Sequence, residues 1–312
     1  MNIKIGTRGS KLALIQADSV KTSLEKIYPQ IDFNIVKIKT TGDKILDSPL
    51  SRIGDKGLFT KEIEDALLKG DIDMAVHSMK DIPTVLPPGL IISAVTKRLD
   101  PRDVLVSKKK LNLDQIAPGG TIATSSLRRK AQLKSQYPQI NYIDIRGNLQ
   151  TRLSKMNESP DIDALVLARA GLTRLEMEAI IDQIIPEDVL LPAVGQAALA
   201  VESRESDSRI NTMLEKLNDP VTSTEIHCER AFLGELGGGC QVPVGALARI
   251  DKDGLKITGL VASLDGRVIY RDSIEGGITE PEKIGRNLAK RLLSMGASVI
   301  LDEIYNNSRR GE

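Results

Sequence analysis

The sequence predicts an α/β protein with two α/β domains followed by a smaller α+β domain. Strand-like and helix-like patterns alternate through residues 1–98 and resume after Pro101, as expected for βαβ units in a parallel sheet. After Pro220 the order changes to one helix, three strands and one helix, which is typical of an α+β domain. The length of 312 residues accommodates two or three domains of ordinary size.

The first domain is predicted to comprise residues 1–98 and 198–217. Its predicted elements are a strand at 3–5, a helix from a Ser10 cap to about Pro29, a strand at 33–38, a helix at 60–69 and a strand at 74–76. Between them, residues 40–57 contain Gly and Pro and few large apolar side chains, which indicates a long mobile loop. The apolar run 198–201 is a candidate to return and complete this sheet.

Residues 99–197 are predicted to form the second domain and residues 218–312 the third. The second has predicted strands at 104–106, 122–123, 142–145 and 164–168 and predicted helices at 126–136 and 148–156. The third has a helix to about Glu235, three strands between 245 and 274 with an Asp265-Gly266 hairpin, and a helix at 281–295.

Composition excludes several functions. Charges nearly cancel, with 43 Lys and Arg against 42 Asp and Glu, and aromatics are scarce, which argues against nucleic-acid and membrane partners. Two cysteines exclude a disulfide-stapled secreted scaffold, and no signal peptide or membrane span is visible, so we expect a cytoplasmic protein. Two histidines without CxxC or HExxH spacing argue against a metal site.

Although the whole chain is nearly neutral, one segment of it is strongly basic. Residues 121–155 hold seven basic residues and one acidic residue, a balance of +6 in a chain of net charge +1. Three strand-to-helix turns, at 7–10, 124–129 and 146–148, place Arg beside a Ser or Asn cap. Helix N-termini and guanidinium groups bind carboxylates and phosphates, so these turns predict an anion site. The alternative is that they are ordinary caps and solvated charges.

Two further segments are candidates for chemistry. His77 to Pro83 places Lys80 and Asp81 at the end of an apolar strand, where a carboxylate could stabilise a developing cation and exchange protons. A solvated turn closed by Pro83 explains the same residues. In the third domain, three glycines directly before Cys240 present a thiol on a bare loop. A buried free cysteine is the alternative there, and it is the favoured one for Cys228.

Together these segments resemble the porphobilinogen deaminase (hydroxymethylbilane synthase) family. The matching segments are IGTRGS (5–10), DKGLF (55–59), HSMKDIP (77–83), PRD (101–103), TSSLRRKAQL (124–133), IRGN (145–148), LARAGLTRL (167–175), LPAVGQ (191–196) and GGGCQVP (237–243). They span the chain almost from end to end, and their joint occurrence is far more specific than any single one.

The resemblance implies two hinged type II periplasmic-binding-protein-like domains plus a C-terminal α+β domain that carries the cofactor cysteine. It implies a monomeric transferase of haem biosynthesis, in which Cys240 holds a dipyrromethane cofactor through a thioether. Four porphobilinogen molecules would be added to that primer, each losing ammonia, and hydrolysis would release hydroxymethylbilane.

The resemblance also assigns roles to residues. Asp81 matches the catalytic aspartate, with Lys80 and Arg8 in the same catalytic set. The residues implied to hold the cofactor are Cys240, Lys80, Asp81, Thr124, Ser125, Ser126, Arg128, Arg129 and Arg146. Those implied to hold substrate are Arg8, Ser10, Lys56, Arg146, Arg152 and Arg174. Each pyrrole carries acetate and propionate groups, whose charge fixed cations would offset. At Arg152, charge neutralisation and a catalytic role are not separable from sequence.

Two other classes of protein would use parts of the pattern. A solute-binding module could clamp a small anion between two α/β domains, but the GGGC loop and the third domain have no use in it. A nucleic-acid binder would need basic residues on a convex face together with stacking aromatics, which the composition lacks.

Overall fold

The computed structural model describes residues 2–44, 57–237 and 242–310. The described chain divides into two compact units, the first made of residues 2–44, 57–99 and 197–224, and the second of residues 100–196, 225–237 and 242–310. Three sheets are present in the described ranges, one in the first unit and two in the second. The α/β class is confirmed, whereas the division into three domains stays a prediction.

The first unit contains a five-stranded mixed sheet in the order β2-β1-β3-β10-β4. Its strands are β1 (Asn2–Arg8), β2 (Asp32–Ile38), β3 (Met74–Ser78), β4 (Leu90–Val95) and β10 (Leu199–Arg204). The strand β1 runs parallel to β2 and β3, as predicted, and the run at 198–201 does join this sheet. The sheet is mixed, because β10 starts opposite the end of β3 and runs back antiparallel to it.

Helices cover both faces of this sheet. They are α1 (Lys11–Ile27), α2 (Thr41–Lys44), α3 (Lys61–Lys69) and α7 (Ser208–Glu215). The helix α1 packs on one face because Val20 and Leu24 recur at helical spacing and meet the buried β1 side chains. The helix α3 covers the other face, where Ile63 and Leu67 pack near Ala75.

The second unit begins with another mixed sheet, in the order β7-β6-β8-β5-β9. Its strands are β5 (Asp103–Ser107), β6 (Thr121–Ala123), β7 (Asn141–Ile143), β8 (Ala164–Ala168) and β9 (Gln183–Ile184). The helices that accompany them are α4 (Leu127–Gln136), α5 (Leu149–Glu158) and α6 (Arg169–Arg174). The strand β6 is parallel to β7 and β8, so α4 starts where β6 ends and α5 follows the end of β7. That geometry brings two helix N-termini to one edge of the sheet.

The rest of the second unit is a three-stranded antiparallel sheet covered by helices. The strands are β11 (Val244–Asp251), β12 (Gly254–Ala262) and β13 (Ile269–Gly276). The helices are α8 (Pro220–Glu235), whose residues 220–224 are assigned to the first unit, α9 (Pro281–Leu292) and α10 (Ser298–Arg310). The predicted Asp265-Gly266 hairpin joins β12 to β13, with Gly266 at a φ of 75°. The helix α10 was not predicted. The helical path is broken at Gly296, where φ is 117°, and α10 begins two residues later.

Within the described residues, no helix combines the length and the apolar character needed to cross a bilayer. No group of three or more His, Cys, Asp or Glu side chains in those residues is arranged to hold a metal ion.

Candidate functional site

In the first unit, the turn after β1 carries Arg8 and Ser10 into α1. Ser10 is the N-cap of α1, and its Oγ accepts a hydrogen bond from the backbone N–H of Ala13 at 3.2 Å, as the sequence predicts for a cap. The guanidinium carbon of Arg8 lies 4.2 Å from the centroid of the Phe59 ring. This cation–π contact orients the Arg8 side chain beside the turn.

Lys80 and Asp81 lie half-buried on a short 3₁₀ turn, Met79–Asp81, that directly follows β3. The N–H of Met79 donates to the Ala198 carbonyl at 3.0 Å, which fastens the turn to the segment that leads into β10. On the α1 side, Gln16 Nε2 donates to Ser78 Oγ at 2.9 Å. The carboxylate of Asp81 is therefore carried on a backbone that is fixed from two sides.

The second unit contains a buried ion-pair cluster around Asp103. Arg128 Nη2 lies 2.8 Å from one carboxylate oxygen and Arg129 Nη2 lies 2.7 Å from the other. Gln196 Nε2 also donates to this carboxylate, at 2.9 Å. Burial alone would raise the pKa of Asp103, but the two guanidinium groups outweigh it and hold the pKa well below its usual range. Asp103 is therefore ionised at neutral pH.

Arg128 and Arg129 are buried side chains that bind other groups of the protein. Arg128 is 4% exposed and also donates to the Leu191 carbonyl, at 2.6 Å, while Arg129 is 6% exposed and donates to the Val166 carbonyl, at 2.9 Å. Both Nη atoms of each arginine are thus used within the protein. Asp103, their shared partner, is a residue that our site prediction missed, although a charged residue at the start of an apolar strand is a visible signal in the sequence.

The turns that precede α4 and α5 lie next to each other and position further polar side chains of the predicted site. Ser126 caps α4, and Asn148 caps α5 by accepting from the Thr151 N–H at 2.9 Å. Ser125 Oγ donates to the Ile145 carbonyl at 2.8 Å, which ties the two turns together. In the second of them, Arg152 Nε donates to the Gly147 carbonyl at 2.9 Å.

Several buried side-chain nitrogens in this unit have no hydrogen-bond acceptor within the described part of the chain. They are Arg129 Nε, Arg146 Nη2, Gln150 Nε2 and Arg169 Nε. A buried donor without an acceptor costs about 1–3 kcal/mol, so such donors point to a missing acceptor. Arg146 is a predicted site residue, whereas Gln150 and Arg169 are not, although Arg169 lies in a family-matching segment.

Two further features complete the charge pattern of this unit. Arg102 and Arg169 pair with Asp100, and although burial opposes it, the hydrogen bonds from Arg102 lower the pKa of Asp100 to about 2. Arg174 is half-buried, and burial lowers its pKa to about 10. It remains a cation at neutral pH.

The predicted site residues Lys56 and Cys240 lie outside the described residues, as do residues 45–56 of the predicted loop. Cys228, by contrast, is fully buried on α8. Burial and the neighbouring carboxylates of Glu229 and Glu282 raise the pKa of its thiol to about 12. Cys228 is therefore a protonated thiol in the core at neutral pH and lacks the thiolate character of a nucleophile.

The fold is that of an α/β protein whose second unit brings guanidinium groups and two helix N-termini to one edge of a sheet, an arrangement that suits a bound anion. Residues 3–212 match the family model described as porphobilinogen deaminase, dipyromethane cofactor binding domain, and residues 223–294 match its C-terminal domain. The chain belongs to the porphobilinogen deaminase family. Membership makes it a transferase of porphyrin biosynthesis with dipyrromethane as cofactor and porphobilinogen as substrate.

Full-length relatives agree with this assignment. The porphobilinogen deaminase of Syntrophomonas wolfei is 51% identical over 302 residues, which cover 97% of this chain and 98% of that one. The porphobilinogen deaminase of Moorella thermoacetica is 50% identical over 308 residues, covering 99% and 98%. Among solved structures, the probable amino-acid ABC transporter extracellular-binding protein ytmK of Bacillus subtilis matches 70% of this chain and 90% of its own, with 8% identity and a TM-score of 0.41.

The second unit fits the cofactor of this family. Dipyrromethane is built from two pyrroles that carry acetate and propionate side chains, so it presents four carboxylates. Buried guanidinium and amide nitrogens without acceptors, at Arg129, Arg146, Gln150 and Arg169, are the complementary donors.

Proposed function

We propose that this chain joins four porphobilinogen molecules head-to-tail on a dipyrromethane primer held by Cys240 and then releases hydroxymethylbilane by hydrolysis. Each addition forms one carbon–carbon bond between pyrroles and releases one ammonia. The primer supplies the first acceptor pyrrole and a covalent anchor. The observation that carries the proposal is the set of buried cationic donors without acceptors in the second unit, in a chain about 50% identical to porphobilinogen deaminases.

The cations of the second unit would bind pyrrole carboxylates. Arg146 and Arg129 would donate through Nη2 and Nε, the atoms that lack acceptors in the described chain. Arg128 contributes by fixing Asp103 and so the orientation of Arg129. Thr124, Ser125 and Ser126 shape the N-terminal end of α4, which favours a bound anion. Arg152 and Arg174 remain proposed substrate contacts in this unit.

Asp81 is the proposed catalytic carboxylate. Lys80 and Arg8 are the other two proposed catalytic residues. Loss of ammonia leaves substrate as an electron-poor pyrrole cation. An ionised carboxylate held at a fixed position stabilises that cation without reorganising, an effect worth about 3–4 kcal/mol for one preorganised group. The fastening of the Met79–Asp81 turn to Ala198 and to α1 supports such preorganisation. Ser10 and Lys56 complete the proposed substrate contacts.

We further propose that the enzyme acts as a monomer in the cytoplasm. The low cysteine count supports a reducing compartment. Size-exclusion chromatography with light scattering would test the monomer directly, and a mass of two chains would contradict it.

Intact mass spectrometry tests the proposed function. The chain purified from cells well supplied with porphobilinogen should carry the mass of two pyrrole units, and it should convert added porphobilinogen to hydroxymethylbilane. The Cys240→Ala variant should show the bare polypeptide mass and no product. A bare mass for the unaltered chain, together with binding but no turnover, would support a solute-binding module instead.

A further inference from the structure

Three ionisable side chains are buried together in the first unit, away from any role proposed above. They are Glu64 on α3, His77 on β3 and Glu202 on β10, and they are 6%, 5% and 0% exposed. His77 Nε2 lies 3.1 Å from Glu202 Oε2. The two side chains come from adjacent strands, and Glu64 interacts electrostatically with both.

The sheet register explains why they meet. In the antiparallel pair, Ala200 lies opposite His77 and Glu202 lies opposite Ala75, so His77 and Glu202 are diagonal neighbours on one face. That face is the one covered by α3, whose Ile63 and Leu67 pack near Ala75. The cluster is thus enclosed between the sheet and α3.

Other charged groups near this face have partners elsewhere. Arg204, two residues along β10, donates to the Leu67 and Ile72 carbonyls at 2.8 and 2.7 Å and pairs with Asp207 at 3.0 Å. Asp65 on α3 adds further negative charge. Within the described chain, His77 is a basic side chain that lies directly against Glu202.

The cluster is costly to bury. Neither carboxylate oxygen of Glu202, nor Glu64 Oε1, nor His77 Nε2 has a well-aligned hydrogen bond within the described chain, although His77 Nε2 lies 3.1 Å from Glu202 Oε2. Burial, followed by the charge of Glu202, raises the pKa of Glu64, which favours its neutral form. Replacing a buried ion pair by apolar groups is often neutral or stabilising, so stability alone is a weak reason for this arrangement.

The position of the cluster points to another role. His77 is four residues before Asp81 on the same strand and turn, and Glu202 lies on the strand that follows Ala198, to which the turn is fastened. Both members of the ion pair therefore lie on the two strands that support the turn. A shift of one strand against the other would displace Asp81.

We propose that His77 and Glu202, buried beneath Glu64, form a positioning pair, which fixes β3 against β10 and so holds Asp81 in place for the reaction. The inference rests on the proposed function of Asp81. The members of the cluster act through Asp81 and have no contact with substrate in this scheme.

A double-mutant cycle tests this role. Glu202→Gln keeps the shape of the side chain and removes its charge, and we expect kcat to fall about tenfold to hundredfold with KM and cofactor content nearly unchanged. In an Asp81→Asn background the same change should lower the residual kcat less than about twofold, because the group being positioned is already gone. If Glu202→Gln does not fold, His77→Gln is put through the same cycle.

Two matched variants separate positioning from stability. Asp73→Asn removes a carboxylate at the other end of β3, where it accepts from the Lys4 N–H at 2.8 Å, and it should lower Tm without changing kcat. Glu64→Gln keeps the size of the third buried side chain and should leave kcat within about twofold of the unaltered enzyme, because Glu64 lies on neither β3 nor β10.

Distinct results would overturn the proposal. If Glu202→Gln lowers Tm but leaves kcat unchanged, or lowers kcat equally in both backgrounds, the cluster does not position Asp81. A large loss of kcat in Glu64→Gln would contradict the restriction of this role to His77 and Glu202. Absence of product from the unaltered, cofactor-loaded chain would instead contradict the proposed function, so the two failures are distinguishable.

Discussion

Asp81 contributes a single charge, and its effect depends on that charge being fixed before the substrate cation forms. Asp81→Asn keeps the size and removes the charge, so we expect the cofactor-loaded variant to bind porphobilinogen normally and to turn over about 10²–10³-fold more slowly. Steady-state hydroxymethylbilane formation gives kcat, and mass spectrometry of enzyme–substrate adducts reports binding. Asp71→Asn, an exposed carboxylate three residues before β3, is the control and should leave kcat unchanged. Normal turnover by Asp81→Asn would remove Asp81 from the mechanism.

Asp103 is a residue whose main effect is on stability. Asp103→Asn leaves Arg128 and Arg129 buried with an uncompensated charge, so we expect the free energy of unfolding to fall by about 3–5 kcal/mol at pH 7. Urea unfolding measures this loss. Asp100→Asn removes a carboxylate that is 24% exposed, and it should cost about 1 kcal/mol or less. Equal losses in the two variants would contradict the role given to burial.

The Asp103 carboxylate also makes the free energy of unfolding depend on pH. The folded-state pKa of Asp103 lies below its unfolded value of about 3.9, so its contribution is fully present above that pH. The contribution is lost as the pH falls from about 4 toward the folded pKa. Stability measured from pH 7 to pH 3 should therefore fall more steeply for the unaltered chain than for Asp103→Asn, and parallel curves would contradict this linkage.

At the scale of elements, the strand-to-helix turn is the repeated unit of the candidate site. Gly147 has a φ of 113°, and a Cβ there would come within 2.6–2.7 Å of the Thr151 side chain. Gly147→Ala should therefore destabilise the second unit by about 1–3 kcal/mol and weaken substrate binding through Arg146. Gly9, in the corresponding turn of the first unit, is a matched control, because a Cβ there meets nothing within 4 Å.

These two glycine variants are compared by urea unfolding and by KM. Gly9→Ala should change the free energy of unfolding by less than about 0.5 kcal/mol. Similar behaviour of the two variants would show that the Arg146 turn has no special backbone requirement.

The sequence predicts an element well when neighbouring residues determine it, and poorly when pairing between distant segments determines it. The cap Ser10 was predicted correctly, because a cap depends on a few adjacent residues, and the helix predicted at 126–136 begins one residue later with Ser126 as its cap. The antiparallel direction of β10 and the strand β4 were missed, since both depend on pairing between distant segments. Gly296 correctly indicates the end of one helix, but a further helix, α10, which begins at Ser298, was not predicted from the sequence.

The same distinction between local and distant determinants applies to the candidate site. Arginines at strand ends could be predicted from local charge, but the burial of Arg128 and Arg129 on Asp103 could not, because the pairing spans 25 and 26 residues. Sequence spacing predicted that a carboxylate follows β3, at Asp81. It gave no sign that His77 and Glu202 meet beneath α3, since strand register decides that contact.

On the scale of the whole molecule, a net charge of +1 conceals a second unit that buries cationic donors without acceptors. In the absence of its cofactor the protein bears that cost in the folded state alone, because the same donors are hydrated when the chain unfolds. Cofactor carboxylates would supply the missing acceptors. Loading the cofactor should therefore stabilise the fold as well as prime the reaction.

We expect cofactor-loaded enzyme to unfold about 5 °C or more above the unloaded chain, because charge-assisted hydrogen bonds contribute about 1.5–3 kcal/mol each. Differential scanning calorimetry compares the two forms after intact mass has identified each. The unloaded form is prepared in cells unable to make porphobilinogen. Cys240→Ala should keep the lower Tm whether or not porphobilinogen is supplied, because it cannot retain the cofactor. Identical Tm values for loaded and unloaded enzyme would show that the buried donors do not bind cofactor carboxylates.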